Sequence, residues 1–417
     1  MKFKFTNEPK IYDVKDVNRV IINILFPTKS SNKDVINRTL LLRMLSNYNK
    51  DYKDPNTFYN KTDSLYIINY SVNTIKYLEV TYIKFSLVLP KEGLIDDYSF
   101  KDALKFFYDC IYKVNGENGE FDKESFDNEL RFLYEREKDF PKSIYEYTAD
   151  EYYKFIDKEE RLGVSHDTYM KLLDKASSKD VYSYYEKNVL NNNYFVYVFG
   201  NINDKDKFTK EFKKVFNKEH VEFSLEAKFT DYFKYDGYKE KKEKTKYKQS
   251  VLYLNYCGDG ATEKDFIYYY AIFNILNSRE NALIYNALRT TNNIVYSTKV
   301  RSTRIHGLLD VVVYFNDYDY KKIIEIVNDS INSLRDEKVF NECKEKLVKA
   351  FGYDLLNKED EPFGDILEII ETQISDEILF KDKIEMIKKI DHKSLVKALD
   401  KIKLSRAYLF ESGDRNV

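Results

Sequence analysis

Tyr194-Phe195-Val196-Tyr197-Val198-Phe199-Gly200-Asn201 is an unbroken aromatic and β-branched run stopped by a glycine. Such a run reads as a buried strand that ends in a turn. Ser178 to Asn188, just before it, has helical spacing. The same plan returns from His392 to Gly413: a helix, a strand at Ala407 to Phe410, and a glycine. Two like closings in one chain suggest two like units.

Outward from these closings, both halves follow one order. In the first, Val17 to Phe26 is β-branched and ends at Pro27, which predicts a strand. Asp34 to Leu45 spaces Val35, Ile36, Leu40, Leu41 and Met44 as one helical face. A short helix then leads to Leu65. Tyr66 to Asn73 and Glu79 to Leu89 read as a hairpin. Helices follow after Ser99, at Lys123 to Lys138 and at Ser143 to Phe155. In the second half, Ser250 to Cys257 predicts a strand, Thr262 to Asn277 a helix and Ala282 to Arg289 a short helix. Ile294 to Arg301 and Leu308 to Phe315 form a hairpin turning near His306-Gly307. Helices at Tyr320 to Leu334, Val339 to Leu356, Ile366 to Ile374 and His392 to Ile402 lead to the last strand. The expected fold is α+β, with two homologous domains, each an antiparallel-rich sheet with helices packed on one face. Lys218 to Lys248 holds Lys239-Glu240-Lys241-Lys242-Glu243-Lys244 and little apolar periodicity, so it reads as a linker. The domains are then 1–217 and 249–417, joined by 218–248.

The chain has 417 residues, enough for two or three domains with substantial cores. Its 68 basic and 70 acidic residues leave a net charge of -2, which argues against nucleic acid or an anionic membrane as the main partner. Cys110, Cys257 and Cys343 lie far apart, and three is an odd number, so buried thiols in a reducing compartment are expected. The N-terminus lacks an apolar stretch of signal-peptide length, and no apolar run approaches the roughly 18 residues of a membrane span. The expectation is a soluble cytoplasmic protein.

Arg289-Thr290-Thr291-Asn292-Asn293-Ile294-Val295-Tyr296 spans a predicted helix end and strand start. Read alone, Arg289 is a helix-terminal cation and Tyr296 a sheet-packing residue. The layout of the whole chain is similar to that of the pitrilysin/insulinase class of zinc metallopeptidases, above all the bacterial chains related to mitochondrial processing peptidase. The resemblance rests on Tyr194 to Asn201, on Asn274-Ile275-Leu276-Asn277-Ser278, on Leu283-Ile284-Tyr285, and on Arg289 with Ile294, Val295 and Tyr296. The family pattern there is Arg-Glu-x-x-x-Leu-Ala-Tyr, and Thr290 replaces its Glu. The resemblance implies that Arg289 and Tyr296 grip substrate. Both can donate hydrogen bonds to a peptide carbonyl.

That class carries His-x-x-Glu-His on a helix of the first domain, where two His four residues apart bind zinc and Glu activates water. This chain has only His166, His220, His306 and His392, and none falls within twenty residues of another. The resemblance places Thr39 and Arg43 at the ligand positions and Leu42 at the base. It places Glu135 near the third ligand. For His166, His306 and His392, structural roles at helix starts and a turn are expected. Gly258-Asp259-Gly260-Ala261 is read as a turn, since Gly-x-Gly-x-x-Gly is incomplete. No cofactor is expected in this chain and no independent catalysis. The resemblance implies a non-catalytic subunit that presents peptide to a homologous partner holding the zinc. The alternative is a non-enzymatic homodimeric scaffold for peptide binding or assembly.

Overall fold

The computed structural model describes all residues except 1, 15–16, 30, 78–79, 218, 220, 227–234, 260–264, 278–281, 304–307, 317, 361–379 and 414–417. The expected turn at His306-Gly307 and helix at Ile366 to Ile374 lie outside the described residues, as do His220 and Gly260. The strands are β1 (Lys2–Thr6), β2 (Pro9–Asp13), β3 (Arg19–Lys29), β4 (Asn69–Tyr77), β5 (Val80–Pro90), β6 (Gly116–Glu117) and β7 (Glu120–Phe121). The series continues with β8 (Phe195–Gly200), β9 (Glu222–Glu226), β10 (Lys239–Lys244), β11 (Ser250–Gly258), β12 (Val295–Thr303), β13 (Leu308–Phe315) and β14 (Ile402–Glu411).

Alternation along β3 turns Val20, Ile22, Ile24 and Phe26 into one core. The five-stranded sheet around it has the order β2-β8-β3-β5-β4. Its edge strand β2 runs parallel to β8, and the other pairs are antiparallel. The second sheet, β10-β14-β11-β13-β12, repeats this order strand for strand. Here too the edge strand is parallel to its neighbour, and the rest are antiparallel. The chain is thus a two-domain α+β fold built twice on one topology.

The closing glycines are required by close backbone approach. A Cβ at Gly200, where φ is +148°, would lie 2.6 Å from the Arg19 carbonyl oxygen. At Gly413 it would lie 2.3 Å from that of Thr245. Both are too close for any side chain.

Two compact units form around these sheets. Met1–Phe140 and Glu159–Lys228 belong to the first, and Pro141–Lys158, Phe229–Glu361 and Ile378–Val417 to the second. The stretch expected as linker therefore departs from a simple tether. β9 pairs with β1 as a two-stranded ribbon, whose Phe5 stacks on Phe195 at 4.4 Å. β10 is the edge of the second sheet, paired with β14 from Lys239 to Lys244. Its alternating charges carry no apolar signal because an edge strand needs none, and they guard the open side against further pairing.

The helix Ile144–Ile156, expected in the first domain, lies in the second unit. β11 turns Leu252, Leu254 and Tyr256 into the main core of that unit, while Val251 and Tyr253 face the other way. The helix covers this second face. Tyr152, fully buried, stacks on Tyr253 at 4.3 Å and donates to Asp310, which also accepts from Asn255 Nδ2 at 2.8 Å. Tyr147 donates to Glu243 at 2.6 Å. Burial raises the Asp310 carboxyl above its ordinary range, opposed by the bonds from Tyr152 and Asn255.

Gly200→Ala is expected to cost about 2–4 kcal/mol by urea denaturation, because the clash is with backbone. Tyr152→Phe leaves Asp310 one donor short and should cost about 1–3 kcal/mol. Asp310 has a raised folded pKa, so its contribution is present on the acid side and is lost as pH rises through that value. Asp310→Asn should flatten this part of the stability profile, and a profile parallel to wild type would contradict the assignment.

Candidate functional site

Helix Val35–Asn47 carries the positions where the resemblance expected zinc ligands. Ile36, Leu40, Leu41, Met44 and Leu45 bury one face, which fixes how the other residues point. The Thr39 hydroxyl donates back to the Val35 carbonyl at 2.7 Å. Leu42 packs against the core. Arg43 pairs through Nε with Glu129 of helix Lys123–Glu137. Asn47, one turn on, donates to the other Glu129 oxygen at 3.0 Å. The Tyr48 hydroxyl is raised first by burial and then by the nearby Glu129 carboxylate. The Phe132 ring lies 3.7 Å from the Arg43 guanidinium carbon.

Glu129 is only 4% exposed and is held by a guanidinium and an amide. A carboxylate cannot be buried alone, and here the cation is Arg43. This arrangement commits both oxygens to protein donors. Glu135, the carboxylate singled out from the sequence, instead points to solvent and pairs with Lys138 at 3.5 Å. Sequence reading missed Glu129. The signal was present: Phe126, Glu129 and Leu133 share one buried helical face, so a Glu occupies a core position. Among the described residues, no group of three or more His, Cys, Asp and Glu side chains could hold a metal ion.

Arg289 lies exposed in the π-helical turn Asn286–Thr291, which continues the short helix Leu283–Tyr285. Its guanidinium is 5.7 Å from the Tyr285 ring centroid. Thr290 is also exposed, with its hydroxyl bonded to Asn286 Oδ1 at 3.3 Å. Asn293 takes a positive φ of 50°, which turns the chain into β12. Tyr296 is the extra residue of a β-bulge: Val295 pairs with Phe315 and Ser297 with Tyr314. β12 is the outer strand of its sheet. The expected pair thus falls in one short segment, at the start of an edge strand.

The two described histidines sit where structural roles were expected. His166 begins a helix after its cap Ser165 and stacks on Phe140 at 3.7 Å. His392 follows the cap Asp391, and its Nε2 lies 3.2 Å from the Leu334 carbonyl oxygen. Cys110 and Cys257 are buried, with thiols raised by desolvation, first among the causes. That environment suits inert packing rather than nucleophilic chemistry.

Residues 175–347 match the family described as Peptidase M16 inactive domain. No curated protein sequence matches the chain. Among solved structures, a conserved protein from Enterococcus faecalis superposes with TM-score 0.82 at 14% identity, over 100% of this chain and 99% of that one. A peptidase M16 inactive domain from Pseudomonas fluorescens gives 0.69 at 11% identity, over 99% and 97%. A protease from Helicobacter pylori gives 0.67 at 12%, over 98% of each chain. The resemblance drawn from the sequence therefore stands: the chain has the two-domain M16-like fold along its whole length, and residues 175–347 match the M16 inactive-domain family.

Arg43→Ala should destabilise the chain by about 2–4 kcal/mol, because it strands the buried Glu129 charge. Glu129→Gln in the same chain should recover a large part of the loss. Equal, additive costs in the double-mutant cycle would show that the two side chains do not depend on each other.

Proposed function

We propose that this M16-like chain is the non-catalytic subunit of a two-chain zinc peptidase and holds unfolded peptide for a homologous partner bearing His-x-x-Glu-His. One observation carries the reading. The helix positions of a zinc centre hold Thr39, Leu42 and Arg43, with Arg43 tied to buried Glu129, while Arg289 and Tyr296 remain together at an edge strand. Loss of the metal chemistry alongside retention of the gripping stretch suits a division of labour between two chains.

The physical task of this chain is then positioning. An extended peptide beside β12 would gain main-chain hydrogen bonds, as edge strands offer unpaired N–H and C=O groups. Arg289 is a rigid fork suited to a peptide carbonyl. The Tyr296 phenol can donate to the same kind of oxygen. The partner's zinc would supply the activated water, and this chain would hold the carbonyl in register. A homodimeric binding scaffold is the second reading. The grouping of exposed Tyr66, Ile68 and Leu94 in one surface depression of the first unit favours it.

Arg289→Ala should lower peptide cleavage by the reconstituted pair by about tenfold or more without splitting the pair, the scale of losing one donor to a developing oxyanion. Tyr296→Phe should lower it less. Cleavage at the wild-type rate by both variants would remove their assigned role. Gentle affinity capture from the native host decides between the readings. A near-stoichiometric chain with His-x-x-Glu-His supports the two-chain peptidase, and recovery of this chain alone supports the scaffold.

A further inference from the structure

We propose, resting on the edge-strand reading above, that the peptide held beside β12 is acidic, with carboxylates at alternate positions that meet Lys299 and Arg301. From Asn281 to Leu309 the chain holds no Asp or Glu, although 70 of its 417 residues are acidic. The same stretch holds Arg289, Lys299, Arg301 and Arg304. Lys299 pairs in register with Val312 and Arg301 with Asp310, while Val300 between them faces the main core. Lys299 and Arg301 therefore share the other face of the sheet. Both are exposed, and among the described residues neither forms an ion pair. The Lys299 Nζ lies 5.1 Å from the Tyr145 ring centroid and 5.8 Å from that of Tyr314. These rings orient the ammonium without cancelling its charge.

The acidic side chains on the elements that share this face are already engaged. Asp310 is buried, and its Oδ1 accepts from Tyr152 and Asn255. Desolvation raises its carboxyl, which weakens it as a counter-charge to Arg301. On the covering helix, Asp150 and Glu151 pair with Lys154 at 2.8 and 3.0 Å, and Glu146 accepts from the Lys142 backbone N–H at 2.6 Å. The opposite edge of the same sheet is built differently. β10 alternates Lys and Glu, with Lys242 and Glu240 3.2 Å apart and Lys241 and Glu243 3.7 Å apart. Charge of either sign guards an open edge, and mixed signs do so without self-repulsion. Like charges two residues apart on one face repel, so the cations of β12 favour a ligand that brings the opposite sign. A strand paired with β12 puts every second side chain on the face of Lys299 and Arg301. Carboxylates two residues apart then stand opposite both cations, whereas adjacent carboxylates point to opposite faces.

The test uses the full chain and three nonapeptides of equal apolar content, carrying Glu-x-Glu, Glu-Glu or Lys-x-Lys and the same fluorescent label. Affinity is read by anisotropy. Glu-x-Glu should bind most tightly and Lys-x-Lys least. Lys299→Gln and Arg301→Gln should each weaken the Glu-x-Glu peptide by about two- to fivefold, the scale of an exposed ion pair. Raising salt from about 50 mM to about 500 mM should shrink the preference. Lys299 is exposed, so its variant should melt with wild type and keep the test readable if loss of Arg301 beside Asp310 destabilises the fold. Equal binding of the acidic and basic peptides would overturn the proposal, as would an acidic preference untouched by both substitutions. Glu-Glu binding as tightly as Glu-x-Glu would overturn it too. So would tighter binding of a single-stranded oligonucleotide, which would make the strand a polyanion site. Arg289→Ala separates the two levels. If it weakens all three peptides alike and no acidic preference exists, the gripping role survives and the acidic class falls. If the preference tracks Lys299 and Arg301 but ignores Arg289, the acidic class stands and the assigned role of Arg289 falls. If wild type binds no peptide, both fall.

Discussion

A sheet with two apolar faces must be covered on both, and this constraint shapes the second unit. β11 alternates between two cores, so its Val251 and Tyr253 need a cover on the face away from the main core. Helix Ile144–Ile156 supplies it. Each buried aromatic contributes about 1.5–3 kcal/mol of apolar transfer. The Tyr147 and Tyr152 hydroxyls then set the rotation of the helix by meeting Glu243 and Asp310. Burying these hydroxyls without acceptors would cost much of what the rings contribute. The packing of one unit thus depends on a segment encoded well inside the sequence of the other.

The same logic of compensation governs the helix Val35–Asn47. A buried carboxylate that stays ionised needs compensating donors or a cation. Glu129 finds Arg43, and Asn47 donates to its other oxygen. The result is a rigid polar joint between two helices where a hydrolytic centre would need open coordination positions. Under the proposed reading, what is left for a peptide is donor chemistry in the segment from Arg289 to Tyr296.

Much of the architecture was legible in the sequence because the strong signals are local. The run Tyr194 to Phe199, the hairpins and the glycine stops all report a period or a turn. β10 was missed because an edge strand of alternating Lys and Glu has the composition of a linker. β1 and β2 were missed because short edge and ribbon strands need little apolar pattern. Glu129 was passed over for Glu135 because the family resemblance pointed to a neighbourhood, and only helix phase separates the two. Glu129 shares the face of Phe126 and Leu133, while Glu135 does not.

The sequence by itself determined the duplicated α+β plan, the absence of a His-x-x-Glu-His motif, and the short stretch that holds Arg289 and Tyr296. These are properties of periodicity and residue chemistry over a few turns of chain. Tertiary structure decided which unit the helix Ile144–Ile156 serves, that β10 joins a sheet, and that Arg43 neutralises Glu129. Those outcomes depend on contacts between residues tens to hundreds of positions apart. No local pattern encodes them, because the energy of a buried charge or an uncovered sheet face is set by whichever distant group the fold brings to it.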